Sequence, residues 1–136
     1  MQIVLNHIPK ALKRHRMTKS GHTYDPSKAD KKKVILELIT GLCLADPISH
    51  PIGLSMIFTF PRPKKHYRTG KNSHLLSKSA PAEHTNTPDT DNLIKFYADC
   101  LVGADIISDD KIAVGMQGIK QWGDEGMVEI EVNKWT

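Results

Sequence analysis

Hydrophobic and polar positions alternate most regularly near the C-terminus. In MVEIEV, residues 127–132, Met127, Glu129 and Glu131 fall on one face and Val128, Ile130 and Val132 on the other. That is the pattern of a half-exposed antiparallel strand. LSMIFTF, residues 54–60, reads as a short apolar strand ended by PRP, and MQIVLNHI as an N-terminal strand closed by Pro9. Helical spacing appears twice. From about Ser27 to Leu44 the apolar residues are Val34, Ile35, Leu38, Ile39 and Leu42, with Gly41 fraying the end; over 91–102 they are Leu93, Phe96, Tyr97, Cys100 and Leu101, with Gly103 as the stop. IISDDKIAVGMQGIK gives a turn running into a strand, and WGDEG, residues 122–126, reads as the turn of a hairpin joining the last two strands. The order β-α-β-loop-α-β-β predicts one α+β domain over 1–136, with helices on one face of a small mixed or antiparallel sheet.

Two stretches resist this patterning. KRHRMTKSGHTYDPSKADKK, residues 13–32, is polar and basic, with turns marked by Gly21 and Asp25-Pro26. Residues 61–88 form a longer loop with five prolines and glycines, in which Arg62, Lys64, Lys65, Arg68, Lys71 and Lys78 alternate with His66, Tyr67 and His74. Loops of that length inside a compact domain are usually functional or disordered. Cations interleaved with rings suit phosphate contact plus stacking, and a solvated flexible loop has the same composition.

Composition narrows the class. Apolar residues make up 39% of the 136 and charged residues 25%, as in globular proteins. No run approaches the roughly 20 apolar residues of a membrane span, and MQIVLNHIPK lacks the pattern of a signal peptide. Cys43 and Cys100 have no CxxC spacing and read as buried thiols, so the expected location is cytoplasmic.

The net charge of +4 conceals a division. Residues 1–88 carry 15 Lys and Arg against 5 Asp and Glu, a net +10, together with all seven histidines; residues 89–136 carry 4 against 10, a net −6. A basic surface favours a polyanionic partner, because Lys and Arg displace counterions from phosphate. A polyanion binder gains nothing from concentrated negative charge unless a cation neutralises it.

The acidic residues are themselves grouped. Asp89 and Asp91 stand at the start of the second helix; if 89–91 stay extended they point the same way, with Asp91 then the N-cap. Asp91, Lys95 and Asp99 form one polar stripe at i, i+4 and i+8, and Asp109-Asp110 follows the helix. Taken singly, each aspartate is an ordinary cap or turn residue. Two carboxylate pairs at the two ends of one amphipathic segment, beside a basic loop, point instead to hard oxygen ligands for Mg²⁺ or Mn²⁺. Such an ion activates water for attack on a phosphodiester, with Lys95 as a point charge on the phosphate. The histidines show no HxxxH pairing for zinc, and neither GxxxxGK[ST] nor EF-hand spacing occurs.

Asp89-Thr90-Asp91-Asn92-Leu93, Lys95, Asp99 and then Asp109-Asp110 resemble the core signature of the RusA family of Holliday junction resolvases, D-x-D-N-L-x-K with a further helical aspartate and a trailing D-D. PRPKKHYR at 61–68 and HTNTPD at 84–89 are similar to the phage-type branch, as is a Tyr-x-Pro step at Tyr24 and Pro26. The resemblance covers nearly the whole chain, with its specific part at 84–111. It implies a homodimeric, Mg²⁺-dependent endonuclease, with Mn²⁺ able to substitute, that makes paired nicks across four-way DNA junctions. Carried over, Asp89, Asp91 and Asp110 are the metal-binding carboxylates, Asp109 ligates or supports Asp110, and Lys95 is the lysine near the scissile phosphate. Lys13, Arg14, Arg16, Lys64, Lys65, Arg68 and Lys71 are the expected DNA contacts. Ile112 stands where the family often has Gln, and Thr87 where the branch favours lysine; neither departure removes a ligand. Two other classes compete: a non-catalytic branched-DNA-binding module that retains the fold, and a small phosphohydrolase acting on nucleotides. The basic loop disfavours the second, since a mononucleotide needs only a compact phosphate pocket.

Overall fold

The computed structural model describes every residue of the chain except His15 and Cys43, so the sequence reading of Cys43 as a buried thiol lies outside the described residues. Four strands build the main sheet: β1 (Gln2–Leu5), β4 (Ile52–Pro61), β5 (Ala113–Gly123) and β6 (Met127–Lys134), in the order β1-β6-β4-β5. β4 pairs antiparallel with β6 and parallel with β5, which makes the sheet mixed. Alternation decides which side faces the helices. Ile52, Leu54, Met56 and Phe58 of β4 and Val128, Ile130 and Val132 of β6 are buried on one face, as period 2 dictates. The opposite face carries Ser55, Glu129 and Glu131 among its residues.

Two helices cover the buried face, α1 (Lys28–Gly41) and α2 (Thr90–Gly103). All five apolar positions that define the stripe of α2 (Leu93, Phe96, Tyr97, Cys100 and Leu101) are wholly buried. Each contributes on the order of 1.5–3 kcal/mol of burial. In α1 only Val34 and Leu38 are fully buried; Ile39 is 51% exposed, and the helix stops at Gly41 rather than Leu44. α2 comes down so closely on β5 that a Cβ at Gly118 would lie 2.8 Å from Ile94 Cδ1.

The hairpin expected from WGDEG does not form. β4 lies between β5 and β6, and the 124–126 connection passes over its end, where Pro61 pairs with Gly123 and Thr59 with Met127. Glycine makes this crossing feasible. A Cβ on Gly123 would strike the Thr59 side chain, and one on Gly126 would sit 2.6 Å from the Ile8 Cα. A turn signal between two strands fixes that the chain reverses, but not that the two strands become neighbours.

The basic stretch before α1 contains a small hairpin, β2 (Arg16–Met17) with β3 (Thr23–Tyr24), turning through Gly21 at φ 88°. Buried Ser27 ties it down: its hydroxyl accepts from the Lys13 amide at 2.8 Å, while its own amide donates to Asp25 Oδ1 at 2.9 Å. Among the described residues no helix is long and apolar enough to cross a membrane.

Candidate active site

Asp89 precedes α2 with extended backbone, φ −71° and ψ 142°, and its carboxylate makes no capping bond to the helix. The helix begins at Thr90, so Asp91 is its second residue rather than its cap, and the extended-chain geometry expected for 89–91 does not apply. Both carboxylates are exposed, where the positive end of the helix favours their charge. Lys95 is exposed one turn on.

The approach to this helix start is built rather than loose. Lys120, on the helix side of β5, donates to the carbonyls of Asn86 at 2.6 Å and Pro88 at 2.9 Å. Trp122, two residues further, donates through Nε1 to the Glu83 carbonyl at 3.2 Å. His84 stacks on the Trp122 ring, while His66 and Phe60 close the cluster edge-on, His66 against Trp122 and Phe60 against His84. Both histidines are buried. His66, expected among the stacking and phosphate-binding groups of the loop, is thus an internal anchor instead. Burial holds both imidazoles below their usual pKa, with Arg62 and Lys65 adding to the effect at His66 and Lys120 at His84.

Around this anchor, residues 61–88 form a lobe. One-turn 3₁₀ segments at Lys64–His66 and Gly70–Asn72, a Tyr67–Leu76 bridge and a 2.7 Å bond from Arg62 to the Pro81 carbonyl give it internal support. Lys64, Lys65, Arg68 and Lys71 are exposed upon it. Lys13, Arg14 and Arg16 are exposed in or beside the β2–β3 hairpin, except that the Lys13 ammonium lies 3.7 Å from Asp30.

The second carboxylate pair lies at the other end of α2. Asp109 accepts from the Lys111 amide at 2.9 Å and caps a single 3₁₀ turn, Asp110–Ile112, just before β5. The Lys111 bond and the contact with Asp110 hold Asp109 below its usual pKa. Asp110 is pushed up by its hydrogen bond with Asp109, by partial desolvation and by the negative charge of Asp109 and Asp99. Asp99 in turn meets Lys31 of α1 at 3.1 Å, and Lys31 also meets Asp25 at 2.9 Å. Burial works against the Lys31 charge, but the two carboxylates outweigh it and raise its pKa.

Within one chain the two acidic pairs are far apart. Lys120, whose ammonium touches the Pro88 carbonyl, is seven residues along β5 from Ala113, which follows the Asp110 turn. At about 3.3 Å per residue, roughly 20 Å separates Asp89 and Asp91 from Asp110. Among the described residues no group of three or more His, Cys, Asp or Glu side chains is placed to share one metal ion.

The match to known proteins is to one family model, Endodeoxyribonuclease RusA, over residues 7–133. The chain belongs to the RusA endodeoxyribonuclease family. That family comprises Holliday junction-resolving nucleases, so the protein is a nuclease by descent. No curated protein matches the chain. The D-x-D-N-L-x-K signature, the trailing Asp109-Asp110 and both basic segments fall inside the matched region of this RusA-family chain.

Sequence reasoning missed Trp122 and Lys120. Neither stands in a motif; the signal for Trp122 was an aromatic in a turn rich in Gly and acidic residues.

Proposed function

We propose that this RusA-family chain is a divalent-metal-dependent endonuclease that acts as a homodimer and makes paired nicks in four-way DNA junctions. The observation that supports this most is the presentation of Asp89, Asp91 and Lys95, all exposed, at the anchored start of α2, beside a lobe carrying Lys64, Lys65, Arg68 and Lys71. The cationic lobe and hairpin would neutralise backbone phosphates. Lys95 would meet the scissile phosphate and oppose the charge that develops on its oxygens.

The donors suit a hard divalent cation in kind, being carboxylates with free oxygens at Asp89 and like-charge crowding at Asp110 that such an ion relieves. Asp89, Asp91 and Asp110, with Asp109 in support, would hold it. When bound, Mg²⁺ or Mn²⁺ supplies a polarised water and neutralises the phosphoryl oxygens. Since one chain keeps these ligands roughly 20 Å apart, a set containing all three draws on two chains. A homodimer therefore has two such sites, one for each strand to be cut.

The test is nicking of a synthetic four-way junction against a linear duplex, with Mg²⁺ and with EDTA, for the protein and for Asp91→Asn. Paired nicks confined to the junction and lost with EDTA and in the variant are expected. Tight junction binding with no cutting under any divalent metal would transfer the case to a non-catalytic binding module. Mixing inactive Asp91→Asn with inactive Asp110→Asn checks the two-chain site, because a mixed dimer regains one intact set and nicks one strand.

A further inference from the structure

The basic lobe carries an apolar pair that phosphate contact does not explain. Leu75 and Leu76 are consecutive, and they are 41% and 43% exposed. Every residue from Arg68 to Leu76 is exposed, so the pair lies in an outlying part of the lobe. Arg68, Lys71 and His74 belong to the same stretch, and Lys78 follows two residues later. Water pays a free-energy cost to solvate exposed apolar side chains. Adjacent ones on an outlying segment mark a contact surface rather than random scatter.

The pair is held in place by the backbone around it. Residues 66–68 and 75–77 pair antiparallel on either side of the Tyr67–Leu76 bridge. The Arg68 amide donates to the Leu75 carbonyl at 2.8 Å, and the Ser77 amide to the His66 carbonyl at 2.9 Å. Arg68 Nε adds a bond to the Leu76 carbonyl at 3.2 Å. One arginine thus fixes the backbone of both leucines, and its two terminal nitrogens take no part in those bonds. At the base of this ribbon His66 is buried against Trp122. The ribbon and the Asp89 end of α2 therefore share one anchor on β5, through Trp122 and Lys120.

We propose that Leu75 and Leu76 form an apolar wedge that enters the branch point of a DNA junction and lies against the base pairs parted there. The proposal rests on the junction-nuclease reading above. Apolar side chains can insert between base steps, but in a continuous duplex a step must first be unstacked to admit them. At a branch point the base-pair stacks already end, so apolar side chains meet faces that are open. The cations around the leucines suit the phosphates that converge on the same place. Charge alone binds any DNA and does not tell a junction from a duplex. The leucines supply the contact that only branched DNA offers cheaply, so affinity lies with the cations and selectivity with the apolar pair. Fixing the ribbon beforehand avoids the cost of ordering it on binding.

A four-way junction with 2-aminopurine at its centre tests the wedge, because that base brightens when it loses its stacking partner. The titration is made in EDTA, so that nothing is cut, with a duplex of the same sequence alongside. The parent chain should brighten the junction and not the duplex. The double variant Leu75→Ser with Leu76→Ser should leave the junction dark and lose about 10-fold in junction affinity. Its duplex affinity and circular dichroism spectrum should stay as in the parent. Leu75→Met with Leu76→Met keeps apolar bulk and should keep the signal. A parent chain that never brightens the junction, or a serine variant that brightens it as the parent does, would overturn the wedge. So would a serine variant of lower solution mass than the parent, which would place the leucines between two copies. Junction nicking in Mg²⁺ by a serine variant as fast as by the parent, with no brightening by either, leaves the nuclease reading standing and removes the wedge. Brightening that depends on the leucines in a chain that never nicks does the reverse.

Discussion

His84 lies flat against Trp122, with ring centroids 3.9 Å apart and planes 8° from parallel. The pair joins the last part of the basic lobe to β5, and through it to the start of α2. Replacing Trp122 with alanine removes the stack, the edge contact to His66 and the bond to the Glu83 carbonyl. Trp122→Ala should cost about 2–4 kcal/mol, below the fully buried case because the ring is partly exposed. Urea unfolding measures the loss, and junction affinity should fall with it.

The buried histidines give the fold an acid-sensitive point. Their folded pKa values lie below the unfolded value near 6.5, so the unfolded chain binds more protons in mildly acidic solution. The stability that depends on their neutrality is fully present above about pH 6.5 and is lost as pH falls toward the folded values. His84 Nδ1 has no hydrogen-bond partner among the described residues, so His84→Phe keeps an aromatic ring against Trp122 and removes that unpaired atom. Melting temperature against pH between 7 and 5 should be flatter in His84→Phe than in the parent.

Lys120 ties β5 to the segment that leads into α2. Lys120→Met retains the apolar stem but leaves the carbonyls of Asn86 and Pro88 without their donor. A stability loss of about 1–3 kcal/mol is expected from a charge-assisted bond of this kind. If Asp89 and Asp91 are the ligands, nicking should fall by about 10-fold or more while junction affinity changes little. A parallel loss of affinity would mean that Lys120 contacts the DNA itself.

Cys100 is a free thiol, buried in α2 and pushed up to about 12 by that burial. In a Cys43→Ser chain the remaining thiol should resist a thiol-specific reagent in the native state and react once the protein is unfolded. Rapid native-state labelling would show that α2 opens readily from the sheet.

Much of this was legible in the sequence because it rests on local periodicity. The α2 stripe and the alternation of β6 are buried as their spacing predicts, since every residue involved answers to the same sheet face. The family signature pointed to a nuclease, and the family match agrees. What could not be read was long-range. WGDEG gave no sign that β4 would lie between the strands it joins, because strand order depends on residues more than fifty positions earlier. Likewise His66 and His84 resemble surface loop residues until the Trp122 ring, contributed by a distant strand, covers them. The separation of the two acidic pairs, roughly 20 Å by strand rise, follows from α2 running along β5, which no spacing in the sequence encodes.

β6 comes last in the chain among the four strands of the sheet, yet it lies between β1 and β4, and the Met1 amine donates to the Val132 carbonyl. Until residues beyond Met127 emerge, β1 has no partner and β4 can pair only with β5. The sheet therefore cannot close until β6 has been made, and its completion pairs strands far apart in the sequence, a step of high contact order.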